Sequence, residues 1–262
     1  MNRKDSGTPA GDEPASVDDS LILTAWTGDT AVIEIRRHER RNALNLQLCR
    51  DLKQEVETVA TEARCIVITG QGTSFCAGAD LDGVYGPEFI DALYSMLYTL
   101  CSVPVPVIAA VNGPAIGAGT QLAIACDIRI CDTTARFAIP TARNGMAVDP
   151  WTIRRLRDLV GSGTAARIML MAGTLDADEA LARGLAESIG SLDEAMRAAQ
   201  EICELAPLSL RYAKMVLNDG VLENQTDDAF LQREFDRVWD SADVREGAQA
   251  RAERRRPRFT GN

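Results

Sequence analysis

The stretch that decides the fold is Gly113-Pro114-Ala115-Ile116-Gly117-Ala118-Gly119-Thr120-Gln121-Leu122. The apolar, β-branched run Val107–Val111 before it predicts a buried strand, and Ala118–Ala125 has a helical pattern. Small residues between a strand and a helix let a bound group approach the backbone closely. Free N–H groups at a helix start favour an oxygen that carries negative charge. The stretch therefore predicts an oxyanion hole. The helix start carries Gln121, whose amide exchanges no proton near neutral pH, where an acid or base would be expected.

The composition is that of a globular protein with a sizeable core. The chain has 262 residues, of which 46% are hydrophobic and 25% charged, enough for one large α/β domain or two smaller ones. No apolar run reaches the roughly 18 residues that cross a bilayer, and residues 1–7 lack the apolar segment of a signal peptide. We therefore expect a cytoplasmic protein without a membrane span.

The seven cysteines favour a reducing compartment, because their number is odd and no Cys-x-x-Cys pair occurs. Four of them lie in apolar runs and are predicted to pack in the core. These four are Cys65, Cys101, Cys126 and Cys131.

The charge distribution points to a small anionic ligand. A net charge of −10 argues against nucleic acid as a partner. Two basic clusters nevertheless occur, at residues 36–41 and 251–258. On an acidic protein such clusters favour binding of a small anion, and a solvated charged face is the common alternative. The arginines are Arg36, Arg37, Arg40 and Arg41 in the first cluster, and Arg251, Arg254, Arg255, Arg256 and Arg258 in the second.

The chain divides into three parts. Residues 1–19 are rich in Gly, Pro, Ser and Asp and are predicted to be disordered. Residues 20–200 alternate strand and helix patterns, which indicates right-handed βαβ units. Residues 201–262 read as helical, with the last helical stretch at 228–253. The predicted strands are 21–25, 31–35, 65–69, 107–111, 128–130 and 136–139, the predicted early helices are 44–60, 88–100 and 118–125, and Asp176 and Ser191 each begin a capping box.

Three segments together resemble one family. They are residues 37–45 (RHERRNALN), 74–81 (SFCAGADL) and 112–127 (NGPAIGAGTQLAIACD). In this order and at this spacing they resemble the crotonase superfamily, the enoyl-CoA hydratases and isomerases, over roughly residues 21–261. The resemblance implies an α/β fold, a spiral of ββα units with a helical C-terminal trimerisation region. It also implies a homotrimer or a dimer of trimers.

The resemblance implies an acyl-CoA thioester as ligand, with no metal or separate cofactor. Its carbonyl oxygen would accept hydrogen bonds from the backbone N–H groups of Ala79 and Ala118. Guanidinium groups suit the CoA phosphates because their donors form a fork. The implied CoA-binding residues are Arg40, Arg41, Ala43, Leu44, Ala77, Asp80 and Leu81, with Arg256, Arg258 and Phe259 contributed by a neighbouring subunit. Within this set Asp80 is expected mainly to order its loop.

The acid–base positions of the family are not acidic in this chain. Hydratases of the family use two glutamates, one at the helix start after the oxyanion loop and one after a Phe-x-x-Pro segment. Here these positions hold Gln121 and Thr141, the latter after Phe137-Ala138-Ile139-Pro140. Many isomerases keep the second glutamate, so Thr141 also argues against simple isomerase chemistry.

Asp149 is the remaining acid of interest, and it has two interpretations. Aligned through Gly145 and the run 154–156, it falls where a dehalogenase of the superfamily places its nucleophile. An aspartate before Pro150 is also an ordinary helix cap, with proline at the first turn. The run DPWTIRRL at 149–156 further resembles an actinobacterial subgroup, labelled enoyl-CoA hydratases, that lacks the paired glutamates.

The acyl chain requires an apolar channel. Leu93, Met96, Leu97 and Leu100 lie at helical spacing in a segment that covers the pocket in relatives. Residues at such spacing are also typical of plain core packing. Trp151 is a further candidate for the wall of the acyl pocket.

Three functions remain open at this stage. The leading one is an acyl-CoA-binding protein of fatty-acid or mycolic-acid metabolism with weak or no hydratase activity, which could work with a fatty-acid-synthesis protein. The second is an active lyase or isomerase that uses Asp149, or water held by Gln121 and Thr141. The third is an oligomeric scaffold that keeps the fold without the ligand.

Overall fold

The computed structural model of the chain describes residues 20–80, 86–218, 233, 236 and 239–259. Several sequence-based predictions lie outside these residues. They concern residues 1–19, Leu81 of the CoA-binding set, and Phe230, Phe235 and Val238, which the sequence predicts as apolar anchors of the last helical stretch.

A six-stranded sheet forms the centre of the fold. Its strands in chain order are β1 (Ile22–Thr27), β2 (Thr30–Ile35), β3 (Cys65–Gly70), β4 (Val107–Val111), β6 (Ile128–Cys131) and β9 (Ser188–Ile189). The spatial order is β1-β2-β3-β4-β6-β9, antiparallel at the β1–β2 hairpin and parallel elsewhere. In this register Val67 pairs with Val32 on one side and Ile108 on the other.

A second, three-stranded sheet lies beside the first. It consists of β5 (Pro114–Ile116), β7 (Arg136–Ala138) and β8 (Thr174–Asp176), with β5 parallel to β7 and β8 antiparallel to it. An isolated parallel bridge joins Cys76 to Ala115 on the free edge of β5. Chain segments therefore pass from the large sheet to the small one and then into a helix, which gives the repeating ββα spiral.

Eight helices connect and cover the sheets within the described residues. They are α1 (Leu46–Val59), α2 (Pro87–Ser102), α3 (Ala118–Ala125), α4 (Pro150–Leu170), α5 (Ala177–Ala182), α6 (Leu192–Cys203), α7 (Pro207–Leu217) and α8 (Ala242–Ala252). The path of α4 is interrupted at Gly161, whose φ of 75° is not helical. Short 3-10 helices occupy His38–Arg40 and Thr141–Asn144. No helix of the described part is long and apolar enough to cross a membrane.

Helix starts follow the side chains that the sequence offers. Asn45 caps α1 by accepting the Leu48 N–H, and Asp176 caps α5 by accepting the Glu179 N–H. Ser191 caps α6 through the Asp193 N–H. Both boundaries predicted from capping boxes are confirmed.

The core follows the alternation of the central strands. Ile66 and Ile68 of β3 face α1 and α2, whereas Cys65 and Val67 face α6 on the opposite side of the sheet. All four cysteines predicted to lie in the core are buried. Burial raises the pKa of the Cys65 and Cys101 thiols to about 12, so these groups stay protonated and packed at neutral pH.

A buried ion pair fixes α7 to the core. Lys214 Nζ lies 2.7 Å from Asp127 Oδ2 and donates to the carbonyl oxygens of Leu100 and Val105 at 2.8 and 2.9 Å. The same Asp127 oxygen accepts the Val107 N–H at 2.8 Å. One lysine therefore ties α7 to the segment between α2 and β4.

Two expectations about element boundaries were wrong. The segment 113–117 was predicted as loop, but it contains β5, which forms because β7 and Cys76 offer partners on both sides. The helical stretch predicted at 228–253 is interrupted at Ser241, which caps α8 by accepting the Val244 N–H.

Candidate functional site

The first half of the site is the loop that carries Ala79. Leu44 forms a parallel bridge with Ala79: its N–H donates to Gly78 O at 2.8 Å, and its carbonyl accepts the Asp80 N–H at 2.7 Å. Successive backbone groups of an extended chain point to opposite sides. The Ala79 N–H therefore points away from Leu44, and it has no hydrogen-bond acceptor among the described residues.

The second half is the start of α3. Ala118 is the first residue of this helix, and the first intrahelical bond runs from the Gln121 N–H to Gly117 O at 3.0 Å. The early N–H groups of a helix have no intrahelical acceptor. The described residues offer the Ala118 N–H no acceptor either. Gly117 has φ of 55° and ψ of −116°, a conformation that a side chain disfavours, which explains the glycine.

The two halves are held side by side by backbone bonds. The Cys76 N–H donates to Pro114 O at 3.1 Å, and the Ile116 N–H donates to Cys76 O at 2.9 Å. A Cβ atom on Gly119 would lie 2.0 Å from Cys76 O, so only glycine fits there. A Cβ on Gly78 would lie 4.0 Å from the Ala118 nitrogen. The two unpaired N–H groups thus lie on adjoining backbone segments.

Both N–H-bearing residues line one cavity of ≈ 160 Å³. Its wall combines the two loops with apolar and neutral polar side chains. The apolar side chains include Phe89, Ile90, Leu93, Ile116, Met146 and Val148, and the polar ones are Tyr94, Gln121, Thr141 and Asn144. No Asp, Glu, His, Lys, Arg or Cys occurs among the described residues of this wall. Such a cavity can polarise a carbonyl oxygen through two preorganised donors, but it offers no carboxylate for proton transfer.

Gln121 lines the cavity and is hydrogen-bonded behind it. Its Nε2 donates to Thr152 Oγ1 at 2.8 Å, and the hydroxyl of Thr152 donates to Asp149 Oδ1. The Tyr94 hydroxyl accepts the Asp149 N–H at 3.0 Å. These contacts join α2, α3 and the start of α4 in one polar network.

Asp149 caps α4, as one of its two interpretations predicted. Its carboxylate accepts the Thr152 N–H at 3.2 Å and the Tyr98 hydroxyl at 3.1 Å, and it is buried. Burial raises the pKa of this carboxyl, while the bonds from Thr152 and Tyr98 act in the opposite direction. Asp149 is not among the residues that line the cavity, although the neighbouring Val148 and the hydrogen-bonded Tyr94 are.

Thr141 reaches the cavity from the other side. It begins the 3-10 helix Thr141–Asn144, and its hydroxyl has no hydrogen-bond partner among the described residues. Helix α8 packs on this turn so closely that a Cβ on Gly247 would lie 2.2 Å from Asn144 O. Gln121 and Thr141 hold the positions where the resemblance implies glutamates. Both line the cavity that Ala79 and Ala118 also line.

The predicted CoA-binding residues are only partly brought together. Asp80 forms an ion pair of 2.6 Å with Arg37, which also donates to Ala43 O at 2.8 Å, so Asp80 does order its loop. Arg40 and Arg41 are exposed, and the Arg41 carbonyl accepts the Ala77 N–H at 3.0 Å, so this segment borders the cavity loop. Arg256, Arg258 and Phe259 are exposed near the end of the described chain, and their completion of a neighbouring subunit's site stays a prediction.

The predicted acyl pocket is only partly matched. Leu93 lines the cavity, but Met96, Leu97 and Leu100 are fully buried and pack in the core, as their helical spacing also allowed. Trp151 is buried against Tyr98, with ring centroids 5.9 Å apart, and does not belong to the cavity wall. Their place in the core follows from the packing of α2 on α1 and α3.

Sequence reasoning missed several members of the cavity. Phe89, Ile90 and Tyr94 come from the first two turns of α2, and Trp239 comes from the segment before α8. The signal that was available lies in α2: the core stripe at 93, 96, 97 and 100 leaves 90 and 94 on an adjacent face, one turn apart. Trp239 offered no local signal, because it reaches the cavity through tertiary packing.

Comparisons with known proteins agree with this geometry. Residues 27–262 match the family model described as enoyl-CoA hydratase/isomerase. A probable enoyl-CoA hydratase of Mycobacterium leprae is 46% identical over 237 residues, covering 87% of this chain and 95% of the relative. A short-chain-enoyl-CoA hydratase of Clostridium acetobutylicum is 32% identical over 249 residues, covering 90% of this chain and 95% of the relative. A crystal structure of an enoyl-CoA hydratase/isomerase from Pseudoalteromonas atlantica superposes with a TM-score of 0.84 at 28% identity, covering 92% of this chain and 100% of that one.

Proposed function

The chain belongs to the enoyl-CoA hydratase/isomerase family, and on that premise we propose that it binds acyl-CoA thioesters while having weak or no hydratase activity. The observation that carries the proposal is a contrast within one cavity. The unpaired N–H groups of Ala79 and Ala118 face a wall whose described residues include no carboxylate. The two N–H donors for a thioester oxygen are present. The positions where the resemblance implies glutamates hold Gln121 and Thr141 instead.

Binding would draw on three parts of the site. The thioester oxygen accepts hydrogen bonds from the two N–H groups, the start of the acyl chain enters the apolar cavity, and exposed arginines near its loop attract the CoA phosphates. Arg40 and Arg41 are the exposed arginines of this chain that border the cavity loop. Arg256, Arg258 and Phe259 would come from a neighbouring subunit of a trimer or a dimer of trimers.

The setting of this function is also a proposal. An acyl-CoA ligand fits cytoplasmic fatty-acid or mycolic-acid metabolism, with a fatty-acid-synthesis protein as a partner that would receive the ligand. The similarity to a probable enoyl-CoA hydratase of Mycobacterium leprae is the observation that favours a mycobacterial type of acyl-CoA metabolism.

An active lyase that uses Asp149 is less well supported. Both carboxylate oxygens of Asp149 already accept hydrogen bonds, and Asp149 is not among the residues that line the cavity. A lyase that uses a water held between Gln121 and Thr141 is better supported than one that uses Asp149. The Thr141 hydroxyl has no partner among the described residues, so it is available to bind such a water. A scaffold without ligand would have no need for two unpaired N–H groups in a cavity.

Calorimetric titration with acyl-CoA thioesters of increasing chain length tests the binding proposal. We expect heat and a thermal shift with acyl-CoA, and weaker binding of CoA without an acyl group. Absence of heat and of thermal shift at every chain length would overturn acyl-CoA binding and leave the ligand-free oligomeric scaffold as the remaining function.

Turnover of crotonyl-CoA tests the catalytic part. We expect a rate far below that of the Clostridium short-chain-enoyl-CoA hydratase measured side by side. A comparable rate would overturn the non-catalytic proposal, and loss of that rate in Asp149→Asn, which keeps the helix cap, would assign the chemistry to the aspartate.

A further inference from the structure

One edge of the six-stranded sheet is formed by β1, which pairs only with β2 among the described residues. Its sequence, ILTAWT, contains no charged residue and no proline, and its register with β2 is unbroken over six residue pairs. Exposed edge strands usually carry a charge, a proline or a bulge, because these features prevent pairing with another strand. β1 has none of the three.

Alternate residues of β1 direct their backbone groups away from β2. Leu21 O accepts the Arg36 N–H at 2.8 Å, so the odd-numbered residues along this hairpin are the ones that bond across to β2. The even-numbered residues 22, 24 and 26 therefore face the open edge. The contacts of Ser20 Oγ with Ile22 N and Ile22 O, at 3.4 and 2.6 Å, agree with this direction.

Thr24 and Trp26 offer free backbone groups at this edge. Their N–H and carbonyl groups have no hydrogen-bond partner among the described residues. The strand also presents apolar surface, since Trp26 is 47% exposed and Leu23 41%. An edge with free donors and acceptors and exposed apolar side chains is a surface on which a further strand can add.

A second copy of β1 fits this edge in antiparallel orientation. When Thr24 lies opposite the partner's Trp26, two-fold symmetry also places Trp26 opposite the partner's Thr24. Each of these pairs then exchanges two N–H···O bonds. Ala25 lies at the symmetry axis, opposite the partner's Ala25, in a pair whose Cα atoms are about 4.5 Å apart. The methyl side chain is small enough for this spacing.

The same arrangement gives the exposed indole a place to bind. Thr24 and Trp26 lie on the face of the sheet toward α1, where the Thr24 hydroxyl donates to Glu55 Oε1 at 2.6 Å. The partner's Trp26, opposite Thr24, would lie at a groove between β1 and α1. Oxygen atoms of this groove can accept the indole N–H, as a buried tryptophan requires. The groove has a volume of ≈ 350 Å³, and its lining includes Ile22, Thr24, Asp51, Gln54, Glu55 and Thr58.

We propose that β1 is a self-association edge, at which two copies of this chain pair antiparallel through Thr24 and Trp26 and each inserts Trp26 into the groove of the other. The indole and the groove that takes it are both on this chain, which favours a second copy over a strand of another protein. No residue of β1 lines the acyl-CoA cavity, so the contact is independent of that ligand. A six-residue edge is small beside the roughly 1,200–2,000 Å² that stable interfaces bury, so we expect a weak, concentration-dependent contact.

A cysteine at the symmetry axis tests the pairing. In Ala25→Cys the two Cα atoms would be about 4.5 Å apart, within the roughly 4.4–6.8 Å that a disulfide spans. The full-length variant is treated with oxidised glutathione in about 0.3 M NaCl, which screens repulsion between chains of net charge −10. Disulfide-linked dimers are measured on non-reducing gels. We expect them to form at least about tenfold faster than in Thr61→Cys, an exposed position in the turn after α1.

A second substitution in the Ala25→Cys background tests the indole. Trp26→Lys places a charge on the edge and should slow cross-linking to the rate of Thr61→Cys. Leu181→Lys is the matched control, because Leu181 is 42% exposed and lies on α5, which packs beside β9 at the opposite edge of the sheet. It should leave the rate unchanged. Circular dichroism shows whether each variant is folded, and the wild type controls for the seven native cysteines.

The outcomes separate this edge from every other contact. The new disulfide forms only between β1 strands, so contacts elsewhere, such as those of the proposed trimer, do not produce it. Cross-linking of folded Ala25→Cys no faster than that of Thr61→Cys would overturn the self-association edge and leave β1 to a strand of another protein. Fast cross-linking that Trp26→Lys leaves unchanged would overturn the insertion of the indole into the groove.

Discussion

At the scale of single residues, the environment of Gln121 determines what a carboxylate would meet at that position. The Thr152 hydroxyl already donates its proton to Asp149, so a glutamate at 121 would face an oxygen that has no proton to give. Two carboxylates would then share one hydroxyl in a buried region, which raises the pKa of one of them. Introducing an acid at 121 therefore also involves Asp149.

We expect the double variant Gln121→Glu and Thr141→Glu to raise the rate of crotonyl-CoA hydration by about 10²-fold. This is the lower end of what positioned acid–base groups contribute in other enzymes. Adding Asp149→Asn should raise it further, since Asn keeps the helix cap and removes the competing charge. Asp149→Asn alone is the control and should give no gain. Unchanged turnover in a folded double variant that still binds acyl-CoA would show that the pocket differs in more than these two side chains.

Gly119 sets how closely the segments that carry Ala79 and Ala118 approach each other. In Gly119→Ala the new Cβ would lie 2.0 Å from Cys76 O, so the segments must separate. We expect a loss of about 2 kcal/mol in the free energy of unfolding, in the range of overpacked sites, and weaker acyl-CoA binding. Urea denaturation and calorimetry measure the two effects.

Gly163→Ala provides the matched control for Gly119→Ala. Gly163 also lies in a helix, and a Cβ there meets no atom within 4 Å. Alanine should therefore be neutral or stabilising by up to about 1 kcal/mol. Equal effects of the two substitutions on unfolding would contradict the close approach at Gly119.

At the scale of elements, α7 depends on a single cation. Lys214 is buried, contacts Asp127, and supplies the donors for two carbonyl groups of the segment before β4. Removing one member of a buried ion pair leaves the other charge uncompensated, which typically costs 3–5 kcal/mol. By contrast, Lys53 and Glu57 form an exposed salt bridge of 3.7 Å on α1. Exposed salt bridges of this kind contribute well under about 1 kcal/mol to the free energy of unfolding.

Lys214→Met should therefore lower the free energy of unfolding by about 3 kcal/mol or more, measured by urea denaturation. Lys53→Met is the matched control and should change it by less than about 0.5 kcal/mol. A loss below about 1 kcal/mol in Lys214→Met would mean that α7 is held by other contacts.

The elements that the sequence predicted well are those with a strong local signal. Val107–Val111 and Ala118–Ala125 have the predicted bounds because an unbroken apolar run and a helix start with glycines define them. β5 was missed because three residues between glycines become a strand only through β7 and Cys76, which are distant in sequence.

The same reasoning applies to the site. The motif positions Ala79, Ala118, Gln121 and Thr141 reach one cavity as predicted, since the family pattern marks them. The network of Tyr94, Tyr98, Asp149 and Thr152 joins helices more than 50 residues apart, and no local spacing signals such a contact.

At the scale of the whole molecule, the surface of α7 is unusually apolar. Leu208, Tyr212, Met215 and Leu217 are exposed along this helix, while its Lys214 faces the core. Contiguous apolar surface of this kind is typical of protein–protein contact sites. It supports the proposed trimer, in which this face would be covered by another subunit.

We expect Tyr212→Glu with Met215→Glu to shift the protein from its oligomer toward the monomer, because charges would be buried without partners in the contact. Analytical ultracentrifugation measures the change in mass. Glu62→Lys, an exposed charge change in the turn after α1 and outside this face, is the control and should leave the mass as in the wild type. An oligomer that survives the double change would place the contact on another surface.

The bonding pattern around Ala79 and Ala118 has a consequence for hydrogen exchange. The neighbouring amides of Asp80 and Gln121 are engaged in backbone hydrogen bonds, whereas those of Ala79 and Ala118 are not. In deuterated solvent the two alanine amides should therefore exchange quickly while the amides of Asp80 and Gln121 are protected. An acyl thioester would slow these two amides most strongly. If the proposed acyl-CoA binding holds, these two amides report occupancy of the cavity without any label on the ligand.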